Sequence, residues 1–246
     1  MNTPFPTPTP VAKPQSGPRI ERLASPAALA DAVAGVVAAS VSEALQRNDR
    51  ASLVLSGGGT PEIYLPQVAS LALSWGRLSI LLADERWVDE DSPHSNTAML
   101  RRTFLSKPGP SQATYIPLKN PSPTAADGLT SLRAALPALD QPYSLVLLGM
   151  GNDGHFASLF PGTPRLAELL SADNTERVAA IPAPTTASPH VERVSLTLAE
   201  IRRSERIVLV LQGTGKLDVL QRAWDAADAL TMPVFALGEV EVLWCP

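Results

Sequence analysis

The chain has 246 residues, a net charge of -4, 45% hydrophobic residues and 18% charged residues, the balance of an ordinary globular protein and not of a disordered or fibrous one. The negative charge argues against a nucleic-acid partner, which needs a basic face, and no run of about eighteen apolar residues is present, so no membrane span is expected. The single cysteine, Cys245, can form no internal disulfide, which leaves the cytoplasm as the expected compartment. Prolines at positions 4, 6, 8, 10, 14 and 18 mark residues 1–18 as a disordered proline-rich tail and not a secretory signal, with residues 19–246 as one domain.

Arg19 to Leu23 spaces apolar residues among charges and is expected as a half-exposed edge strand. Ser25 caps and Pro26 opens a long helix in which Leu29, Val33, Val37 and Val41 recur at helical spacing. Ala51 to Leu55 reads as an apolar strand running into Ser56-Gly57-Gly58-Gly59-Thr60-Pro61, with Thr60 capping and Pro61 starting the next helix. A strand, glycine loop and helix in that order offer free N–H groups and a positive dipole end to an anion such as phosphate; a tight turn without a ligand is the other reading.

Leu78 to Ala83 is expected as a third strand. At its carboxyl end Asp84-Glu85-Arg86 places charges where open α/β sheets bind ligands, and Asp84 and Arg86 are the candidates to point into a crevice; a solvated, salt-bridged turn would use the same triplet. Ser95 and Asn96 lead into a helix through Met99, Leu100 and Leu105, with His94 at the surface. A short strand over Tyr115 to Leu118 and a helix over Thr124 to Leu136 follow.

Ser144 to Leu148 is a short apolar run, suited to a central parallel strand covered on both faces. Gly149, Gly151 and Gly154 then let the main chain approach a ligand closely. His155, one of three histidines, stands directly after Asp153 and Gly154, as a general base or as a histidine capping the turn. The glycines also fit dinucleotide-site spacing, but Pro161-Gly162 cuts short the helix such a site requires.

Beyond it, Leu166 to Leu170 makes a helical turn, Val178 to Ile181 a strand, and Pro182 to Pro189 a loop bordering the site, with His190 structural. Arg193 to Leu198 and Arg206 to Leu211 are strands, the second closed by Gly213-Thr214-Gly215-Lys216 at a helix start. Lys216 is there a point charge for a phosphate, or an exposed helix lysine. Val234 to Leu237 is expected as the last strand, with Val242 to Trp244 packing the terminus. The alternation predicts an α/β fold with a doubly wound, mostly parallel sheet flanked by helices.

Gly149-Met150-Gly151-Asn152-Asp153-Gly154-His155-Phe156-Ala157-Ser158-Leu159-Phe160-Pro161 resembles the signature of the 6-phosphogluconolactonases, Gly-Met-Gly-x-Asp-Gly-His-Thr-Ala-Ser-Leu-Phe-Pro, with Phe156 in place of the usual threonine. Ser56 to Pro61 resembles that family's phosphate-side loop. Asp84-Glu85-Arg86 with Ser95-Asn96, and Arg193 to Thr197, resemble two further family strings, with Asp89 where proline is usual. The resemblance implies a Rossmann-like fold of the glucosamine-6-phosphate deaminase kind. It also implies hydrolysis of 6-phospho-D-glucono-1,5-lactone in the oxidative pentose phosphate pathway, with no metal or organic cofactor.

On that resemblance Ser56, Gly57, Gly58, Gly59 and Thr60 hold the phosphate with Lys216 and Arg193, and Asp84 and Gly151 also meet the substrate. His155 takes a proton from water while Asp153 holds its tautomer. Arg86 or the Gly149 to Gly151 amides stabilise the oxyanion, unless Arg86 touches the phosphate instead. The expected partner is the sugar phosphate lactone, bound by a monomer or weak homodimer. A glucosamine-6-phosphate deaminase is the alternative, but such enzymes read Ile-Ala-Phe-Asn-Glu-Pro after the histidine. A sugar-phosphate sensor would need a helix-turn-helix that the proline tail cannot supply.

Overall fold

A computed structural model of the chain describes residues 17–136 and 142–246; the expected proline-rich tail lies outside these apart from Gly17 and Pro18. Seven strands form one parallel sheet. They are β1 (Arg19–Arg22), β2 (Ala51–Leu55), β3 (Leu78–Leu82), β5 (Thr114–Ile116), β6 (Leu145–Leu148), β9 (Ile207–Gln212) and β10 (Glu241–Cys245). Their order is β1-β10-β9-β6-β2-β3-β5. β6 is the middle strand and all four of its residues are buried, as an unbroken Leu-Val-Leu-Leu run requires when helices cover both faces. β1, at the edge, is exposed throughout.

The first helix, α1 (Pro26–Arg47), starts where the capping pattern places it, with Ser25 Oγ accepting the Ala28 N–H at 3.2 Å. By length and a mean hydropathy of 1.6 it is apolar enough to cross a membrane, although Asp31 and Ser40 interrupt its apolar run. Here Leu29, Val33, Val37 and Val41 are buried against β10, β2, β6 and the second helix, α2 (Gly59–Ala69). Next come α3 (Asn96–Leu100), extended by a π-helical turn over Arg101–Leu105, and α4 (Ala125–Ala135), capped by Thr124. The set closes with α5 (Leu166–Leu169), α6 (Leu198–Ile201) and α7 (Thr214–Ala226).

Tertiary pairing overrides the local reading in four places. Asp84-Glu85-Arg86 is not a turn but a short strand, β4 (Asp84–Arg86), which joins β8 (Arg193–Leu196) and β7 (Val178–Ile181) in a separate antiparallel sheet ordered β4-β8-β7. Thr60 does not cap α2; Gly58 does, and the helix starts at Gly59. Val234 to Leu237 is a 3-10 helix, Pro233–Leu237, not a strand, because the Val234 N–H is spent on Gly154 O at 2.8 Å. The last strand is instead β10, which inserts between β1 and β9.

The topology positions the site. From β2 the chain steps outward through β3 and β5, then returns to β6 and steps the other way through β9 and β10. The loops after β2 and β6 therefore diverge at neighbouring carboxyl ends, opening a crevice at the point where the strand order reverses. Ser56 ties its floor together: its hydroxyl donates to Leu147 O at 3.0 Å and accepts the Gly149 N–H at 3.3 Å.

Candidate active site

Two helix N-termini open on this crevice, a cavity of about 420 Å³. Gly58 caps α2 with φ +98° and no side chain caps the helix; a residue with a Cβ would be strained in that conformation. At α7 the cap is Gly213, again without a side-chain hydrogen bond. Both ends thus present uncapped N–H groups and the positive ends of their dipoles. Lys216 lies between them and β6, donating Nζ–H to Met150 O at 2.7 Å. Burial holds its pKa below the ordinary lysine value, against the attraction of Asp153. A partly desolvated ammonium of this kind gains from an incoming anion.

The opposite wall comes from the small antiparallel sheet, where Arg86 and Arg193 are register partners across β4 and β8. Both line the cavity, and the Nε of each is buried without a hydrogen-bond partner. Arg193 is 4% exposed, lies over the Phe160 ring at 5.1 Å, and is pulled below its ordinary pKa by burial although Asp84 attracts it. Arg86 donates Nη1–H to Asn96 Oδ1 and to His94 O, while Asn96 Nδ2 donates to Asp84 O at 2.9 Å.

Glu85 holds this bracket from behind. Its Oε1 accepts the N–H groups of Arg86 and Asn96, and its Oε2 those of Thr97 and the Ser95 hydroxyl. Burial raises its pKa against the lowering effect of the Asn96 and Thr97 N–H groups. In Glu85→Gln the amide turns an NH2 either toward the Arg86 and Asn96 N–H groups or toward the Thr97 N–H, so at least one buried donor loses its acceptor whichever way it faces. The expected result is a loss of about 2–3 kcal/mol in chemical denaturation; unchanged stability would remove Glu85 as the anchor.

His155 is fixed on the third side. Its Nδ1 lies 2.5 Å from Asp153 Oδ1, which also accepts the His155 N–H at 3.2 Å, and its ring stacks at a tilt on Phe160 with centroids 4.0 Å apart. Burial works to raise the Asp153 pKa, but the hydrogen bond and charge of His155 outweigh it and hold the carboxyl below its ordinary value. An ionised Asp153 keeps the proton on Nδ1, so the free lone pair is on Nε2. Gly151 has to be glycine: its N–H donates to His155 O at 2.8 Å, and a Cβ there would sit 2.2 Å from the imidazole. His155, Arg86 and Arg193 also line a second cavity of about 350 Å³, bordered by Asp153, Phe160 and the Thr186 to Ser188 segment.

Ser56 to Thr60, Asp84, Arg86, Gly151, His155, Arg193 and Lys216 therefore share one cavity, and Asp153 stands in the adjoining one. Of the three amides from Gly149 to Gly151, those of Gly149 and Gly151 donate to Ser56 Oγ and His155 O. Phe156 is fully buried, so the departure from threonine leaves the cavity wall untouched. His94 is exposed, and His190 Nδ1 meets Pro184 O at 2.8 Å. Gln212 and Ala157, both on the cavity wall, were not anticipated. Asn96 stood in a family string, but only its bond to Arg86 reveals its role. Among the described residues no three His, Cys, Asp or Glu side chains group as metal ligands.

The fold and cavity define an α/β enzyme site whose wall carries Arg86, Arg193, Lys216 and a histidine. Residues 24–244 match the family described as glucosamine-6-phosphate isomerases/6-phosphogluconolactonase. The chain is 32% identical over 227 residues to a 6-phosphogluconolactonase of Rhizobium meliloti, covering 90% of this chain and 96% of that protein. A 6-phosphogluconolactonase of Pseudomonas putida is 34% identical over 230 residues, 93% of each chain. The crystal structure of a 6-phosphogluconolactonase from Shewanella baltica OS155 aligns with a TM-score of 0.89 at 34% identity, covering 95% of this chain and 100% of that one. The chain belongs to the glucosamine-6-phosphate isomerase/6-phosphogluconolactonase family.

Proposed function

We propose that this protein hydrolyses 6-phospho-D-glucono-1,5-lactone to 6-phospho-D-gluconate, the second step of the oxidative pentose phosphate pathway, in the cytoplasm. The observation that supports it most is the His155–Asp153 pair at 2.5 Å beside a cavity that the Gly57 to Thr60 loop, Arg193 and Lys216 also line. The phosphate sits on the Gly57 to Thr60 amides with Lys216 and Arg193, which places C1 of the ring at His155. His155 Nε2 takes a proton from water as the water oxygen bonds to C1, and Asp153 stabilises the imidazolium. Arg86, with its Nε unpartnered, stabilises the oxyanion. The C1–ring oxygen bond then breaks, the ring oxygen takes the proton back from His155, and the product is an open-chain acid.

The test is loss of freshly prepared lactone at slightly acidic pH, where spontaneous hydrolysis is slow, alongside ammonia release from glucosamine 6-phosphate. Rapid lactone loss without ammonia is the expected result. Ammonia release with lactone loss at background would replace the lactonase with a deaminase.

A further inference from the structure

Asp84 is at odds with its surroundings. It lines a cavity whose other charges are Arg86, Arg193 and Lys216, and a carboxylate at close range repels a phosphate. Its geometry is nevertheless controlled. Ser158, fully buried, donates Oγ–H to Asp84 Oδ2 at 2.5 Å. The Ser158 N–H goes to Ser195 Oγ at 3.2 Å, and the Ser195 hydroxyl donates to Leu196 O at 3.0 Å. A relay of three side chains thus runs from β8, through the turn that follows His155, into β4. That turn is closed by the Leu159 N–H on Phe156 O and has Ala157 in the left-handed region at φ 46°, an outlier of the kind that persists where surrounding structure enforces it. Among the described residues no donor reaches Asp84 Oδ1.

We propose that Ser158 is a positioning residue that presents Asp84 Oδ1 to the cavity as an acceptor for substrate hydroxyls, so the site selects the polyol chain of its ligand as well as the phosphate. The inference rests on the lactonase reading above. A carboxylate is tolerated beside a phosphate site if it faces the hydroxylated part of the ligand, where its hydrogen bond to O–H is charge-assisted. Ser158 holds one oxygen so that the other keeps its direction.

The test compares affinities, by calorimetry, for 6-phosphogluconate and for 6-phosphohexanoate, which keeps the phosphate and carboxylate but has no hydroxyls. Wild type is expected to prefer 6-phosphogluconate. In Ser158→Ala its affinity for 6-phosphogluconate falls roughly tenfold while that for 6-phosphohexanoate holds. A packing defect would weaken both ligands alike, so the ratio of the two affinities is the readout that separates positioning of Asp84 from a merely structural role. Asp84→Leu, similar in shape but with no hydrogen-bonding group, removes the preference too and serves if the serine variant does not fold. Equal losses for both ligands, or an unchanged ratio, overturn the proposal. Failure of the wild type to bind either ligand or hydrolyse the lactone overturns the lactonase reading and this proposal with it.

Discussion

His155→Ala is expected to lower kcat for the lactone by about 10²- to 10⁴-fold, the usual range for a positioned acid–base group, with KM nearly unchanged. The split follows from the layout: the proposed phosphate contacts are the Gly57 to Thr60 amides, Lys216 and Arg193, and none of them depends on a hydrogen bond from the imidazole. Asp153→Asn should also lose rate. An amide donating to Nδ1 favours the wrong tautomer and moves the proton to Nε2, where water has to be deprotonated. Because Asp153 is held below the ordinary carboxylate range, it stays ionised as the pH falls toward that range. Separate kcat and KM values from progress curves check this. A variant with wild-type kcat would remove His155 as the base while leaving the reaction intact.

Arg193→Met is expected to abolish most activity and yet raise thermal stability. Arg193 is 4% exposed, its Nε has no partner, and its pKa is lowered by burial. A cation whose folded pKa lies below its unfolded value destabilises the fold at every pH below that folded value, so for arginine the penalty is present throughout the physiological range. Replacing a poorly paired buried charge with an apolar side chain of similar length is expected to stabilise by about 1–2 kcal/mol, a rise in Tm of a few degrees for a chain of this size. On the proposed reading the substrate's phosphate is the partner that Arg193 lacks. The Tm increase that 6-phosphogluconate gives the wild type should therefore shrink in the variant, and KM should rise by about tenfold or more. Calorimetric melts with and without ligand measure both. A variant that melts lower and still binds ligand like the wild type would make Arg193 a structural residue.

Much of the site was legible in the chain because its local chemistry is local in sequence. Asp153, Gly154 and His155 are adjacent, and the 2.5 Å contact between Asp153 and His155 closes within three residues. Gly151, four residues upstream, is required by the same ring. The glycine loop after β2 and the lysine after β9 were likewise visible as candidates for an anion, although the sequence pointed to Thr60 as the cap of α2 where Gly58 caps it without a side-chain bond. The alternation of short apolar strands with helices, and the unbroken run in β6, sufficed for a mostly parallel sheet.

What only the tertiary structure decided has a common physical cause: it depends on which distant backbone groups pair. Asp84 to Arg86 becomes a strand because β8, more than a hundred residues later, supplies its ladder, and that pairing sets Arg86 beside Arg193. Val234 to Leu237 has strand-like residues but donates its first N–H to the loop of Gly154, so the place between β1 and β9 is taken by Glu241–Cys245 instead. The bonds from Asn96 to Arg86, from Glu85 to the α3 N-terminus and from Ser158 to Asp84 link residues from 10 to 74 positions apart. Periodicity and spacing describe one segment at a time; side-chain contacts between segments exist only once the strand order has placed them together.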